Sequence, residues 1–115
     1  MSIREATLTP RPLKIVGEVD MPEWGCKLPI RKLKSSERIY IDRLHKEATD
    51  SESNLNTICK ILVMAIVEPD GTPAFTDDDI PQLCEKPLDE LEKVLNAILV
   101  SAGMVKGAIE EAEKN

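Results

Sequence analysis

The feature that most constrains the fold is an unbroken apolar run at residues 61–67, Ile-Leu-Val-Met-Ala-Ile-Val. Leu55, Ile58 and Leu62 precede and enter the run at helical spacing, so the pattern predicts a helix over residues 53–67. A buried strand is the alternative for so short an apolar run. A helix that is apolar on every side is typical of the centre of a core, or of an element with a second face kept for a partner.

A second helical pattern lies near the end of the sequence. Pro87 is predicted at the first helical position, where its missing N–H costs little. Val100 lies nearly opposite the apolar stripe and is predicted to be exposed, and Gly103 is predicted to end the helix. The stripe consists of Leu88, Leu91, Leu95, Ile98 and Ala102, widened by Val94 and Leu99.

Apolar residues that point away from these stripes are the candidate partner-binding residues. On the first helix they are Val63, Met64 and Val67, and on the last helix the candidate is Val100. Such residues suit contact with an amphipathic helix of another protein, and a flexible methionine suits a surface that accepts several sequences. We predict that charge reversal at Val63 or Met64 weakens partner binding and leaves the fold intact, provided that these side chains are not fully buried.

The first third of the sequence predicts a β-hairpin followed by a helix. Residues 13–19 and 26–33 alternate, with Leu13, Ile15 and Val19 on one face of the first strand and Cys26, Leu28 and Ile30 on one face of the second. Gly17 suggests a bulge, and Pro29 requires an edge or bulged strand. The following helix is predicted over residues 36–49, with Ser35 or Ser36 as its N-cap.

Length and composition limit the architecture to one small domain. The chain has 115 residues and only one Trp, one Tyr and one Phe, so the core must be aliphatic, which favours helices. We predict an α+β, mostly α fold, in which an N-terminal β-hairpin is followed by about four helices. Residues 1–12 are predicted to be a flexible N-terminus, residues 13–103 the domain, and residues 104–115 a mobile tail.

Charge and cysteine content exclude several functional classes. The net charge is −6, and residues 51–115 carry 5 Lys+Arg against 13 Asp+Glu, which argues against nucleic-acid binding. No apolar run approaches the ~18 residues of a membrane span, and no signal peptide is recognisable. Three widely spaced cysteines suggest reduced thiols in the cytosol.

The acidic segment at residues 68–80, E-P-D-G-T-P-A-F-T-D-D-D-I, is predicted to be a structural joint. Thr76 and Asp79 have the spacing of a capping box, but Pro81 fits a helix better if Asp78 is the N-cap, and we predict Asp78. A calcium loop is rejected, because its glycine position does not match. No motif indicates a metal, a cofactor or a catalytic site, so we expect no enzymatic activity.

From residue 14 to about residue 104 the order of these motifs resembles the tail assembly chaperones of long-tailed (siphovirus-type) bacteriophages. The matching features are the hairpin I-V-G-E-V-D-M-P-E-W-G, the segment I-R-K-L-K-S-S-E-R, the apolar helix ending in D-G-T-P-A-F-T-D-D-D-I-P-Q-L, and the helix opening P-L-D-E-L-E-K-V-L-N-A-I. Pro29 and the turn Trp24-Gly25-Cys26 depart from the family pattern.

The resemblance implies a non-enzymatic assembly factor in the host cell cytoplasm that is absent from the mature virion. It would bind the tape measure protein, and a longer form made by ribosomal frameshifting would reach the tail tube protein. Glu113-Lys114-Asn115 is compatible with slippery codons. The oligomeric state is left open. Two alternatives remain at this point: an acidic phage-encoded inhibitor that mimics DNA, and a minor tail structural subunit.

Overall fold

The computed structural model describes residues 2–104 and begins with a short helix, α1 (Ile3–Leu8), which buries none of its residues. A β-hairpin follows, with β1 (Ile15–Met21) and β2 (Cys26–Arg31) joined by a 3-10 turn at Pro22–Trp24. The remaining elements in the described range are α2 (Ser35–Glu47), α3 (Ser51–Ala65), a 3-10 turn (Asp77–Asp79), α4 (Ile80–Leu83) and α5 (Leu88–Ser101). The predicted α+β, mostly α class is confirmed.

Two predictions about the chain ends stay open. The flexibility predicted for residues 1–12 stays a prediction, although α1 forms within them. The predicted mobile tail, apart from Met104, lies outside the described residues.

The hairpin contains the predicted irregularity at Gly17, and it changes which side chains face the core. The register shifts between Ile15, opposite Arg31, and Gly17, opposite Ile30, so one extra residue interrupts the ladder. Downstream of the shift, Val19 and Met21 are buried, whereas Ile15 is exposed. Ile15 and Val19, predicted to share one face of the strand, therefore differ in burial, because the register shift lies between them.

The second strand supplies its expected core residues, Leu28 and Ile30, while Cys26 is exposed at the strand end. Pro29 is accommodated because each strand of a two-stranded sheet is an edge. Its carbonyl accepts a hydrogen bond of 3.0 Å from the Val67 N–H.

The apolar run is a helix for most of its length and then becomes extended. α3 ends at Ala65, and Ile66 forms an isolated bridge with Ile30 while Val67 bridges Pro73. The helix prediction is thus correct up to Ala65 and wrong for the last two residues, which add to the edge of β2. Every residue of the run except Val63 and Met64 is buried, so α3 occupies the centre of the core.

The C-terminal helix α5 covers the core by packing against both α3 and β1. Its buried residues are Leu91, Val94, Leu95 and Ile98. At its end, the Gly103 N–H bonds the Val100 carbonyl at 3.0 Å and the Met104 N–H bonds the Leu99 carbonyl at 2.8 Å. With Gly103 at φ 70°, these two bonds form a Schellman motif, and the predicted helix stop is confirmed.

The start of α2 is fixed by a carboxylate rather than by the predicted serines. Lys34 is the N-cap residue, and its backbone N–H donates to Glu37 Oε1 at 2.9 Å. Arg31, at the end of β2, donates to both Glu37 oxygens at 2.8 and 2.6 Å. The hydrogen bond and charge of Arg31 lower the pKa of Glu37, so this half-buried carboxylate joins the hairpin to α2 as an anion.

This pair predicts an acid sensitivity that can be measured. Because the pKa of Glu37 is lower in the folded state than the ordinary 4.5, the pair stabilises the fold above that value. The contribution, about 1–2 kcal/mol at neutral pH, is lost as the pH falls through the folded-state pKa. The free energy of unfolding, measured with urea, should fall less between pH 7 and pH 3 in Glu37→Gln than in the wild type. Glu47→Gln, which alters an exposed carboxylate of the same helix, should keep the wild-type slope.

Candidate functional site

The structure divides the predicted partner-binding residues into different environments. Val100 is 56% exposed near the end of α5, as predicted. Val63 and Met64 are half-buried against the core. Val67 is only 3% exposed, because it lies in the extended segment after α3, bonded to Pro29 and bridged to Pro73, so its side chain is not at the surface. Val63, Met64 and Val100 line none of the grooves and depressions described below.

The acidic joint caps its helix differently from the prediction. Thr76 precedes the 3-10 turn, and its N–H donates to Asp79 Oδ2 at 2.8 Å, while Asp78 lies inside the turn. The N-cap is therefore Thr76 and not Asp78. A 3-10 turn that passes into a one-turn α-helix leaves Pro81 in the first turn of α4, so the proline conflict that favoured Asp78 does not arise.

The described residues provide no site for a metal ion. Residues 2–104 contain no cluster of three His, Cys, Asp or Glu side chains that could hold a metal ion.

The Asp70 carboxylate accepts hydrogen bonds from the Thr72 N–H at 2.9 Å and from the Thr72 hydroxyl at 2.7 Å. These bonds lower the pKa of Asp70 and hold the turn from Asp70 to Thr72.

Within residues 2–104, no helix has the length and apolar character needed to cross a bilayer.

A groove lined largely by apolar side chains lies between the first half of α3 and the corner from α4 to α5. Its apolar wall consists of Leu55, Ile58, Cys84 and Leu88, and its volume is about 530 Å³. An adjoining depression of about 640 Å³ shares Leu55 and Cys84 with it. We call these two together the α3–α5 groove.

Leu88 is the residue of the groove that sequence reasoning placed wrongly. The helical spacing assigned it to the buried stripe of α5, yet its side chain is 53% exposed. It is the first residue of α5, directly after Pro87, and it lines the groove together with Leu55 and Ile58 of α3. Helical periodicity gives the direction of a side chain but not how closely the neighbouring elements pack over it.

The rim of the α3–α5 groove is acidic. Asp50 and Glu52 border it at the start of α3, and Glu85 and Glu92 border it on the side of the corner. Hydrogen bonds from Ser53 lower the pKa of Asp50, so this carboxylate is charged at neutral pH. Lys86 is the cation that lines the groove, and the net charge of these lining side chains is therefore negative.

A single tryptophan fixes the corner to the hairpin. The Trp24 indole N–H donates to Glu90 Oε1 at 2.7 Å, and the Lys86 ammonium lies 5.6 Å from the centroid of its ring. Both contacts connect the turn of the hairpin to the start of α5. Sequence reasoning noted Trp24 only as a departure from a family pattern, since no local pattern reveals a contact across 66 positions.

Two thiols meet behind the groove. Cys59 is fully buried on α3, and its Sγ lies 3.3 Å from the Sγ of Cys84 at the end of α4. Burial, together with the hydrogen bond to Cys84, raises the pKa of Cys59 to about 12, so this thiol is protonated at neutral pH and is not a nucleophile. Cys59 therefore takes the place of a small hydrophobic side chain in the core.

The fold is similar to a solved structure, that of the bacteriophage HK97 tail assembly chaperone. The comparison has a TM-score of 0.55 at 18% sequence identity, and it covers 83% of this chain and 88% of that chain. At this identity the likeness concerns the fold alone. No family model matches the sequence, and no curated protein matches it. The resemblance inferred from the order of motifs is thus supported at the level of the fold.

Proposed function

We propose that this protein is a tail assembly chaperone of a long-tailed bacteriophage and that it binds the tape measure protein and keeps it soluble while the tail tube assembles. The observation that carries the proposal is the likeness of fold to a tail assembly chaperone over most of both chains. The protein would act by binding alone, without catalysis, in the host cytoplasm.

The surface of the described domain is consistent with a chaperone for an apolar client. Large apolar side chains remain exposed on several elements, among them Ile15, Leu88 and Val100. At the same time residues 51–115 carry 5 Lys+Arg against 13 Asp+Glu, a net −8. Net charge of this size keeps a complex with an aggregation-prone chain in solution. A longer, frameshifted form that reaches the tail tube protein belongs to the same proposal.

Co-expression tests the proposal directly. The tape measure protein encoded by the same phage should be found mainly in the soluble fraction when this chain is present, and in the pellet without it. An unrelated acidic protein of similar size and charge is the control for charge alone. Equal solubility with the control would contradict the proposal. Mass spectrometry of purified virions should not detect the chain, and stoichiometric amounts there would instead indicate a structural subunit.

A further inference from the structure

We propose that the α3–α5 groove is the client site and that its occupant is one amphipathic helix whose apolar stripe is flanked by Lys or Arg. The inference rests on the proposed function and adds to it the surface used and the chemistry of the segment bound. Three properties of the groove support this occupant: its apolar wall, its acidic rim and its fixed shape.

The apolar wall has the form that a helix stripe needs. Isolated exposed leucines are common on proteins and require no explanation. Leu88 differs because it adjoins the half-buried Leu55 and Cys84, which extend its exposed surface into one groove between two helices. The buried Ile58 also lines this groove. Amphipathic helices bind such grooves through apolar residues spaced three and four positions apart. The depression that shares Leu55 and Cys84 lengthens the groove along α3.

The rim determines which amphipathic helix is preferred. Four carboxylates, those of Asp50, Glu52, Glu85 and Glu92, face an occupant of the groove. The ammonium group of Lys86, which also lines it, lies over the ring of Trp24. A helix with basic flanks would therefore meet a complementary potential, and one with acidic flanks would meet repulsion, which is the usual basis of specificity at a charged rim.

The groove is preformed rather than created by binding. Trp24 fixes the corner through its bond to Glu90, and the contact between Cys59 and Cys84 holds the end of α4 against α3. Walls fixed in this way lose little conformational entropy when a helix binds between them.

A pair of synthetic peptides tests the charge preference on the full chain. Both are amphipathic helices of about 18 residues, five turns, with the same leucine stripe and a fluorescein label, and they differ only in Lys or Glu at the flanking positions. Fluorescence anisotropy should give a dissociation constant at least about tenfold lower for the Lys-flanked peptide, equivalent to about 1.4 kcal/mol. Equal affinity for both peptides, or no binding of the Lys-flanked peptide, would overturn the inference.

Matched variants test the location. Leu88→Asp removes the exposed part of the apolar wall, and because an acidic residue is favourable at a helix start, the fold should be retained. Glu92→Lys reverses one rim charge. Both should weaken binding of the Lys-flanked peptide, Leu88→Asp by about tenfold or more. Ile39→Asp is the control, since Ile39 is 62% exposed on α2 and lines a different depression beside Gly103 and Met104. The Ile39→Asp variant should bind the Lys-flanked peptide with the same affinity as the wild type.

The same variants in the co-expression assay separate the two proposals. If the wild type solubilises the tape measure protein and Leu88→Asp does so equally well, the groove is not the client site, although the proposed function stands. If the wild type fails to solubilise the tape measure protein, the proposed function fails, and with it the claim that the groove binds this client. Thermal unfolding of each variant shows whether a loss of binding reflects a loss of fold.

Discussion

Replacing Leu62 with alanine is expected to lower the free energy of unfolding by about 2–5 kcal/mol. Leu62 has no exposed surface and lies in α3, which packs against α5, α4 and α2. The substitution removes buried methyl groups and leaves a cavity that the neighbouring helices cannot fully close. Since small domains are stable by about 5–15 kcal/mol, one such change removes a large share of the total.

Met64→Ala is the matched control for this prediction. It removes a side chain of similar size from the same helix two positions later, but Met64 is only half-buried. We expect less than half of the loss found for Leu62→Ala, measured by urea unfolding followed by far-UV circular dichroism. Equal losses of unfolding free energy at the two positions would mean that Met64 is as deeply buried as Leu62, in conflict with the burial pattern described above.

Gly17→Ala is expected to cost about 1–3 kcal/mol, although alanine is normally harmless on a protein surface. A Cβ atom at residue 17 would collide with Ser101 Oγ and would lie 3.2 Å from Ser101 Cβ, so the Ser101 side chain would have to turn away and β1 and the end of α5 would have to shift slightly apart. Glycine is required here because the Ser101 side chain occupies the place of a Cβ atom, and not because of an unusual φ.

A double-mutant cycle identifies the cause of that loss. Ser101→Ala removes the Oγ atom with which the new methyl group would collide, so Gly17→Ala should cost less in a Ser101→Ala background than in the wild type. A coupling energy of about 0.5 kcal/mol or more is expected from urea unfolding of the four proteins. Strict additivity would show that the cost of Gly17→Ala has nothing to do with α5.

Elements with strong local patterns could be predicted from the sequence. The helical spacing of α3 and α5, the glycine stop at residue 103 and the irregularity at Gly17 all follow from interactions between near neighbours in the chain. The exposure of Val100 followed from its position opposite the apolar stripe of α5. These were also the observations from which the fold class was predicted correctly.

Features that depend on distant contacts could not be predicted in this way. The bond between Trp24 and Glu90 joins residues 66 positions apart, and the extended end of α3 requires the free edge of β2. The acidic joint was misjudged because only α-helical starts were compared, while the chain uses a 3-10 turn. The α3–α5 groove was missed because its wall combines Leu55 and Ile58 of α3 with Cys84 and Leu88, which lie about 30 positions later in the chain.

The packing of α5 on β1 also has a consequence for the order of events during synthesis. Gly17 meets Ser101, so the strand made first is covered by the helix made last among the described elements. While the ribosome makes the intervening segments, the apolar face of the hairpin and the central helix stay uncovered. Contacts between such distant positions slow folding, because a long loop must close before they form. Such a nascent chain exposes apolar surface until its final helix leaves the exit tunnel.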